Sequence, residues 1–212
     1  MSKKNKWIRF RHKVVTELAR YTFGFYVRWK YHIRIERFKE EGKRPYLILM
    51  NHQTAFDHFF VGLSFRQQVY YLASEDIFSM GWLSRVIEWV VAPISIRKQT
   101  TDLQAVKNCI RVAREGGSIC IAPEGQRTFH GKTVSIAPSI AHLAKKLGLP
   151  IAIFRIDGGY GIQPRWSDVV RKGTMRSYIK RVIEPSEYSE MTNDQLFAIL
   201  QEELTVDESG AC

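Results

Sequence analysis

A histidine and a carboxylate stand five residues apart, directly after an apolar segment of the chain. The apolar segment is 46–50, and Asn51, His52 and Asp57 follow it. A histidine can take a proton from a hydroxyl while a carboxylate holds its other N–H, so this pair is suited to general-base catalysis. Residues five apart lie on different faces of one helix. We therefore predict His52 in a strand-to-helix loop and Asp57 in the first helical turn, where a negative charge is favourable. The alternative is that both side chains only cap the loop and the helix.

The elements that position this pair are predicted from hydrophobic periodicity. The predicted strands are 31–37, 46–50, 69–73, 93–97, 118–122, 150–156 and 178–183, and the predicted helices are 7–29, 56–65, 81–91, 101–114, 139–147 and 193–204. Strands that alternate with helices are typical of an α/β fold. We predict a single domain with a largely parallel central sheet flanked by helices, preceded by an N-terminal amphipathic helix; 212 residues suit one such domain.

Polar residues follow three of the predicted strands. They are Asn51 and His52, then Arg97, then Glu124, Gly125 and Arg127. Ligands of parallel sheets collect at the carboxyl ends of the strands, so these side chains are expected to converge. Arg127 offers a planar fork for a phosphate or carboxylate, Gly125 permits a tight turn, and Glu124 could orient the arginine or bind a substrate hydroxyl. Taken singly, each feature is more typical of an ordinary turn or of a solvated charge than of a binding site.

Almost all of the positive charge lies in the first fifth of the chain. Fourteen basic and four acidic residues lie between Lys3 and Arg44, whereas the whole chain has a formal net charge of +11. This asymmetry indicates an anionic partner, either a membrane surface or a nucleic acid. The three cysteines show no metal-ligand spacing, and we predict no metal site.

An apolar stripe runs along the predicted N-terminal helix. Its members, three or four residues apart, are Trp7, Phe10, Val14, Leu18, Tyr21, Phe25 and Trp29. Arg9, Lys13 and Arg20 lie away from the stripe, an arrangement typical of a helix in a bilayer interface, with cations among the headgroups. Alternatively, the stripe packs on the chain's own domain. No nucleic-acid partner is predicted, because the aromatics form one stripe rather than spaced stacking platforms.

The chain is predicted to lack a transmembrane span, because no segment approaches about 18 consecutive apolar residues. A secretory signal is not predicted either. We interpret 1–44 as a basic amphipathic membrane-docking segment, 45–206 as the catalytic domain and 207–212 as a frayed tail.

Four short blocks stand in order along the chain. They are Asn51-His52 with Asp57, Pro93-Ile94-Ser95-Ile96-Arg97, Pro123-Glu124-Gly125-Gln126-Arg127-Thr128, and Leu149-Pro150-Ile151-Ala152-Ile153. Over about residues 46–156 this set resembles the four ordered blocks of the glycerolipid acyltransferase family, which lysophosphatidic acid acyltransferases typify. The resemblance implies that His52 and Asp57, its His-x4-Asp pair, are catalytic. It also implies an acceptor site formed by Asn51, Arg97, Glu124, Gly125 and Arg127.

Two blocks depart from the family pattern. Pro93 stands where the second block usually opens with glycine, and Ile96 precedes Arg97 where the family has an aromatic residue. Gln126 replaces the common threonine or serine between Gly125 and Arg127. These differences concern the acceptor more than the chemistry.

The resemblance also implies a reaction. A hydroxyl of lysophosphatidic acid would attack the thioester of acyl-CoA or acyl-carrier protein directly, with no metal or further cofactor. The amphipathic segment Trp7 to Trp29 would hold the protein on the cytoplasmic face of the cell membrane. Backbone N–H groups at the helix start near Asp57 would stabilise the oxyanion. The alternatives are another lysophospholipid or glycerol 3-phosphate as acceptor, or a noncatalytic protein that binds anionic lipid.

Overall fold

A seven-stranded sheet forms the centre of the computed structural model, which describes residues 7–74, 81–96, 102–133, 135–167 and 169–205. The described strands are β1 (Ile33–Ile35), β2 (Leu47–Met50), β3 (Val69–Ser74), β4 (Ile94–Ile96), β5 (Ser118–Ile121), β6 (Ile151–Asp157) and β7 (Met175–Ile183). The described helices are α1 (Phe10–Tyr31), α2 (Asp57–Ser64), α3 (Trp82–Val91), α4 (Leu103–Arg114), α5 (Ser139–Leu147), α6 (Gly159–Ile162), α7 (Pro185–Tyr188) and α8 (Asn193–Leu204).

The sheet has the strand order β1-β7-β6-β2-β5-β3-β4. Every neighbouring pair is parallel except β6 and β7, which are antiparallel. Strand β2 is central: Leu47 pairs with Ile119 of β5 on one side and with Ile151 of β6 on the other. The predicted α/β class and largely parallel centre are confirmed. Because β2, β5 and β6 are parallel, the residues that follow them meet at one edge of the sheet.

Both faces of β2 are covered, which explains its continuous apolar sequence. Leu47 and Leu49 pack with residues of α4, α5 and α8, whereas Ile48 and Met50 pack with residues of α1 and α2. All four side chains are fully buried. This burial fixes the register of β2 in the sheet. It thereby fixes the position of the last residue of the strand at the sheet edge.

Several boundaries differ from the sequence predictions. Helix α1 runs to Tyr31 and ends at His32, whose φ of 50° is left-handed, so the predicted strand at 31–37 is reduced to β1. Strand β7 begins at Met175 rather than at residue 178. The short helices α6 and α7 were not predicted. Arg97 and the predicted tail at 207–212 lie outside the described residues.

Helix α1 turns its apolar stripe away from the domain. Six stripe side chains have exposed fractions between 49% and 81%: Phe10, Val14, Leu18, Tyr21, Phe25 and Trp29. The opposite face carries the buried residues His12, Arg20 and Val27. The alternative in which the stripe packs on its own domain therefore fails for these six side chains and holds for the first stripe member, Trp7, which is partly buried against the core. Within the part of the chain that the structure describes, no helix is long and apolar enough to cross a membrane.

Arg20 has a different environment from the one predicted for the basic residues of α1. Its side chain is buried and donates hydrogen bonds to the carbonyl oxygens of Gly62 and Phe65, at the end of α2. It also forms an ion pair with Glu17. Arg20 thus attaches α1 to the domain. It is not among the exposed basic residues that could contact lipid headgroups.

Candidate active site

His52 and Asp57 form a hydrogen-bonded pair at the carboxyl end of β2. His52 lies in the loop after the strand, and Asp57 is the first residue of α2. The Nδ1 atom of His52 lies 2.9 Å from Oδ2 of Asp57, whose side chain is fully buried, while the His52 side chain is 16% exposed. A carboxylate accepts but does not donate, so Nδ1 carries the proton and Nε2 keeps a lone pair. The pair therefore has the tautomer that a general base requires.

Three further donors hold the Asp57 carboxylate. Its Oδ2 atom accepts hydrogen bonds from the backbone N–H groups of Gln53 (2.6 Å) and Thr54 (2.9 Å). Its Oδ1 atom accepts from the Thr54 hydroxyl at 2.6 Å. Because every donor is fixed by the short loop between His52 and α2, the carboxylate has little freedom to rotate away from the imidazole.

The backbone N–H groups of the same loop are not free to stabilise an oxyanion. Those of Gln53 and Thr54 donate to Asp57, that of Ala55 donates to Gln163 Oε1 at 3.2 Å, and that of Phe56 donates to the Thr54 hydroxyl at 3.1 Å. These four groups therefore do not supply the oxyanion donors, and the expectation that N–H groups at the helix start near Asp57 do so stays a prediction.

Glu124 holds the backbone of His52. The His52 N–H donates to Glu124 Oε1 at 2.8 Å, and the Thr133 hydroxyl donates to the same oxygen at 3.0 Å. On the other side, the Thr128 N–H donates to the His52 carbonyl oxygen at 2.8 Å. Burial raises the pKa of Glu124, and the hydrogen bonds from His52 and Thr133 partly oppose that rise. The sequence suggested that Glu124 orients Arg127 or binds a hydroxyl, whereas its observed contacts position the histidine.

Asn51 extends the pairing of β2 with β6 by a side chain. Its Oδ1 accepts from the Ile156 N–H and its Nδ2 donates to the Ile156 carbonyl oxygen, both at 2.8 Å. The residue is 1% exposed. The substrate-binding role of Asn51 stays a prediction, and its observed contacts hold the ends of β2 and β6 together beside His52.

The turn after β5 carries the predicted phosphate-binding residues. Gly125 has φ +71°, a conformation in which a side chain is strained, and its N–H donates to the Ala122 carbonyl oxygen. Arg127 follows two residues later and is partly buried. The structure thus brings Asn51, His52, Asp57, Glu124, Gly125 and Arg127 to one edge of the sheet. Arg97, the remaining predicted residue, is outside the described ranges.

The segment after β6 packs against the histidine loop. Gln53 Oε1 accepts hydrogen bonds from the N–H groups of Gly159 (2.8 Å) and Tyr160 (3.3 Å). A Cβ atom at Gly159 would lie 2.9 Å from both Gln53 Oε1 and the Thr54 methyl group, so this position has room only for glycine. Sequence reasoning assigned no role to this glycine-rich segment. The only signal in the sequence for the role of Gln53 is its place between His52 and Asp57.

A second histidine lies beside the first. The ring of His58 makes edge-to-face contacts with the rings of His52 and Tyr71, each with centroids 5.4 Å apart. Burial, with a smaller contribution from His52, lowers the pKa of His58 to about 4. His58 is therefore neutral near pH 7 and packs against the catalytic candidate as an uncharged ring. Its place directly after Asp57 was the only signal in the sequence.

The fold and the site together define a class: an α/β protein with a histidine–carboxylate pair at the carboxyl edge of its parallel strands. A family model described as Acyltransferase matches residues 30–156, more than half of the chain. The chain belongs to that family.

Named relatives give the same family context. The chain is 24% identical over 143 residues to a chloroplastic 1-acyl-sn-glycerol-3-phosphate acyltransferase of Brassica napus. It is 23% identical over 154 residues to another chloroplastic enzyme of that name from Arabidopsis thaliana. The alignments cover 66% and 71% of this chain but 41% and 42% of the relatives, so the chain spans about two fifths of their length.

A solved structure supports the fold. The crystal structure of the 1-acyl-sn-glycerophosphate acyltransferase PlsC from Thermotoga maritima superposes with a TM-score of 0.69 at 18% sequence identity. The superposition covers 91% of this chain and 78% of that one. At this identity the likeness concerns the architecture.

Proposed function

We propose that this chain is a 1-acylglycerol-3-phosphate O-acyltransferase of phospholipid biosynthesis. It transfers a fatty acyl group from an acyl thioester, acyl-CoA or acyl-carrier protein, to the free hydroxyl of lysophosphatidic acid. The observation that carries the proposal is the buried Asp57 carboxylate 2.9 Å from Nδ1 of His52, at the sheet edge that also carries Arg127. The names of the two plant relatives favour this acceptor.

The chemistry follows from the orientation of the His52 ring. With Nδ1 held by Asp57, Nε2 removes the proton from the acceptor hydroxyl as its oxygen attacks the thioester carbon. The new C–O bond forms, the C–S bond breaks, and the imidazolium returns its proton to the leaving thiolate. Asp57 stabilises the imidazolium while it exists. The acyl donor is already activated as a thioester, so this scheme uses no metal or further cofactor.

The acceptor is held by the residues of the neighbouring strand ends. Arg127 binds the phosphate, because a guanidinium can form two parallel hydrogen bonds to it. Gly125 shapes the turn that presents Arg127, and Arg97 and Asn51 complete the acceptor site. Glu124 contributes by fixing the His52 backbone.

The exposed stripe of α1 supports a peripheral position on the membrane. Aromatic and aliphatic side chains would enter the acyl-chain boundary while the basic surplus of 1–44 contacts anionic headgroups. The proposed location is the cytoplasmic face of the cell membrane, whose anionic lipids attract such a segment. This placement would bring the active site to an acceptor that resides in the bilayer.

A transfer assay tests the proposal. The purified chain is given acyl-CoA or acyl-carrier protein with lysophosphatidic acid, two other lysophospholipids or glycerol 3-phosphate, and the product is measured by mass spectrometry. We expect product with lysophosphatidic acid, none above background with His52→Ala, and normal rates with His142→Ala, an exposed histidine on α5. Transfer by the His52 variant at a near-normal rate would contradict the mechanism. An absence of transfer to every acceptor would favour the noncatalytic lipid-binding alternative.

A further inference from the structure

The loop between α6 and β7 lies across the turn that carries Arg127. Arg165 of this loop donates from NH1 to Gln126 Oε1 at 2.9 Å and to the Arg127 carbonyl oxygen at 3.4 Å. Gln163 of the same loop accepts from the Ala55 N–H, so the loop also touches the segment between His52 and Asp57. Arg165 is therefore next to the proposed phosphate turn, on a loop that also touches the segment between His52 and Asp57.

The base of this loop is held in place by its own contacts. The Arg171 N–H donates to the Ile162 carbonyl oxygen at 2.8 Å, and Pro164 is buried. The Trp166 indole N–H donates to the Tyr160 hydroxyl at 3.1 Å. These contacts position Arg165 without a ligand, and preorganised side chains lose less entropy on binding.

Gln126 explains why Arg165 reaches this turn. The residue stands where the family pattern has a threonine or serine, and its longer side chain supplies the oxygen that accepts from Arg165. Among the described residues, the hydrogen bonds of Arg165 use only the NH1 nitrogen of a guanidinium that has five N–H donors. Among the residues that the structure describes, no salt bridge joins a carboxylate to Arg127 or Arg165, and the two arginines lie on adjoining turns.

We propose that Arg165 is a second phosphate-binding residue, and that Arg127 and Arg165 together select an acceptor with a phosphomonoester headgroup. This inference rests on the proposed acyltransferase function. A phosphomonoester carries close to two negative charges near pH 7, whereas a phosphodiester carries one. A second guanidinium therefore stabilises the phosphomonoester more.

The test compares Arg165→Ala, Arg165→Lys and the wild-type chain with two acceptors. Lysophosphatidic acid supplies a phosphomonoester, and lysophosphatidylglycerol supplies a phosphodiester. We expect Arg165→Ala to raise the KM for lysophosphatidic acid about tenfold, the loss typical of one charge-assisted hydrogen bond. The KM for the phosphodiester should rise about twofold, and the KM for the acyl donor should not change. Arg165→Lys should restore part of the preference because it keeps the charge and loses the fork.

Arg114→Ala is the matched control, because Arg114 is an exposed arginine at the end of α4, just before the start of β5 and therefore at the opposite edge of the sheet from the proposed site. Its kinetics should equal those of the wild-type chain. Equal losses for both acceptors with Arg165→Ala, or no loss for either, would overturn the inference while leaving the acyltransferase proposal intact.

A binding measurement distinguishes a failure of this inference from a failure of the acyltransferase proposal. Calorimetry with glycerol 3-phosphate on the wild-type chain and on Arg165→Ala reads the phosphate site without turnover. Weaker binding by the variant supports the role of Arg165 even where no acyl transfer is detected, and equal binding opposes it.

Discussion

The imidazole of His52 is held through its neighbours on three sides. Asp57 binds its Nδ1, Glu124 accepts from its backbone N–H, and Thr128 donates to its backbone carbonyl. The supporting groups come from α2 and from the segment after β5, so the ring has a fixed position before a substrate arrives. Fixed geometry of this kind is a large part of what a general base needs to be effective.

Asp57→Asn tests how the carboxylate sets the tautomer. The amide keeps the shape of the side chain but presents either one acceptor or a donor to His52 Nδ1, so the Nε2 lone pair is no longer assured. We expect kcat to fall by about 10²-fold or more, with the acceptor KM nearly unchanged. Steady-state kinetics of the variant measure both constants. A rate within threefold of the wild-type value would argue against the role of Asp57.

His58 makes a prediction about pH and stability. Its pKa in the folded chain is about 4, below the ordinary value of 6.5, so the unfolded chain binds more protons between these values. Stability is therefore present above about pH 6.5 and is lost as the pH falls toward 4. His58→Phe should keep the ring contacts. It should also lower the slope of the unfolding free energy against pH, by an amount that corresponds to the uptake of up to one proton on unfolding. Urea unfolding at several pH values measures this slope.

His142→Phe serves as the control for the His58 experiment, since His142 is exposed on α5. Glu124 is present in the wild-type chain and in both variants, so it contributes equally to every slope. The difference in slope between His58→Phe and the wild type therefore measures the contribution of His58. An unchanged slope in His58→Phe would contradict the assignment.

The sequence predicted which residues lie close together but not all of the contacts that they make. His52, Asp57, Glu124 and Arg127 converge because parallel strands end at one edge, and that rule needs only the order of the elements. The contacts of Glu124 with a backbone N–H could not be predicted, because a side-chain acceptor can serve many donors within reach. Arg165 was beyond prediction because the path of its loop depends on contacts distant in sequence.

At the scale of elements, α1 has two faces with different duties. One face packs on α2 through Val27 and the Arg20 guanidinium, and the other presents the apolar stripe. Periodicity predicted the stripe correctly but could not tell which face meets the domain, since a buried arginine reads as a surface charge. The hydrogen bonds from Arg20 to two carbonyl groups at the end of α2 resolve that choice.

Arg20→Met tests the attachment of α1. The substitution keeps an unbranched apolar side chain but leaves the Gly62 and Phe65 carbonyl groups without this donor. We expect the free energy of unfolding to fall by on the order of 3 kcal/mol. Chemical denaturation measures the loss, and hydrogen exchange should show faster opening of α1. Lys13→Met, an exposed position on the same helix, should change neither quantity, and equal effects of both substitutions would contradict the role of Arg20.

At the scale of the whole molecule, exposed aromatics and charge are unevenly distributed. Helix α1 exposes Phe10, Tyr21 and Trp29, and α3 adds the exposed Trp82 and Trp89. Arg11 lies over the Trp89 ring at 5.2 Å, so the two helices meet near these aromatics. The fold class and the largely parallel centre could be predicted from the alternation of strands and helices, whereas the strand order was not predicted. The antiparallel β7 could not, because periodicity says nothing of strand direction.

Docking on a membrane through the exposed stripe of α1 can be tested by substitution. Leu18→Ser with Phe25→Ser should lower partition to vesicles with anionic lipid at least tenfold, since each apolar side chain contributes about 1.5–3 kcal/mol when fully buried. Vesicle sedimentation measures the bound fraction. Leu103→Ser is the control, because Leu103 is 64% exposed on α4 and lies outside the stripe. Higher salt should weaken binding of the wild-type chain, and unchanged partition of the double variant would contradict docking through α1.

The side-chain pairing of Asn51 with Ile156 has a consequence for how this scaffold can change. That pair, Gln53, Thr54 and Asp57 are all buried, whereas Gln126 and Arg165 are exposed. Substitutions in the exposed pair do not require the buried network to be rebuilt. If Arg165 binds the headgroup as proposed, a small library at residues 126 and 165 should change headgroup preference while the reacting groups keep their original geometry.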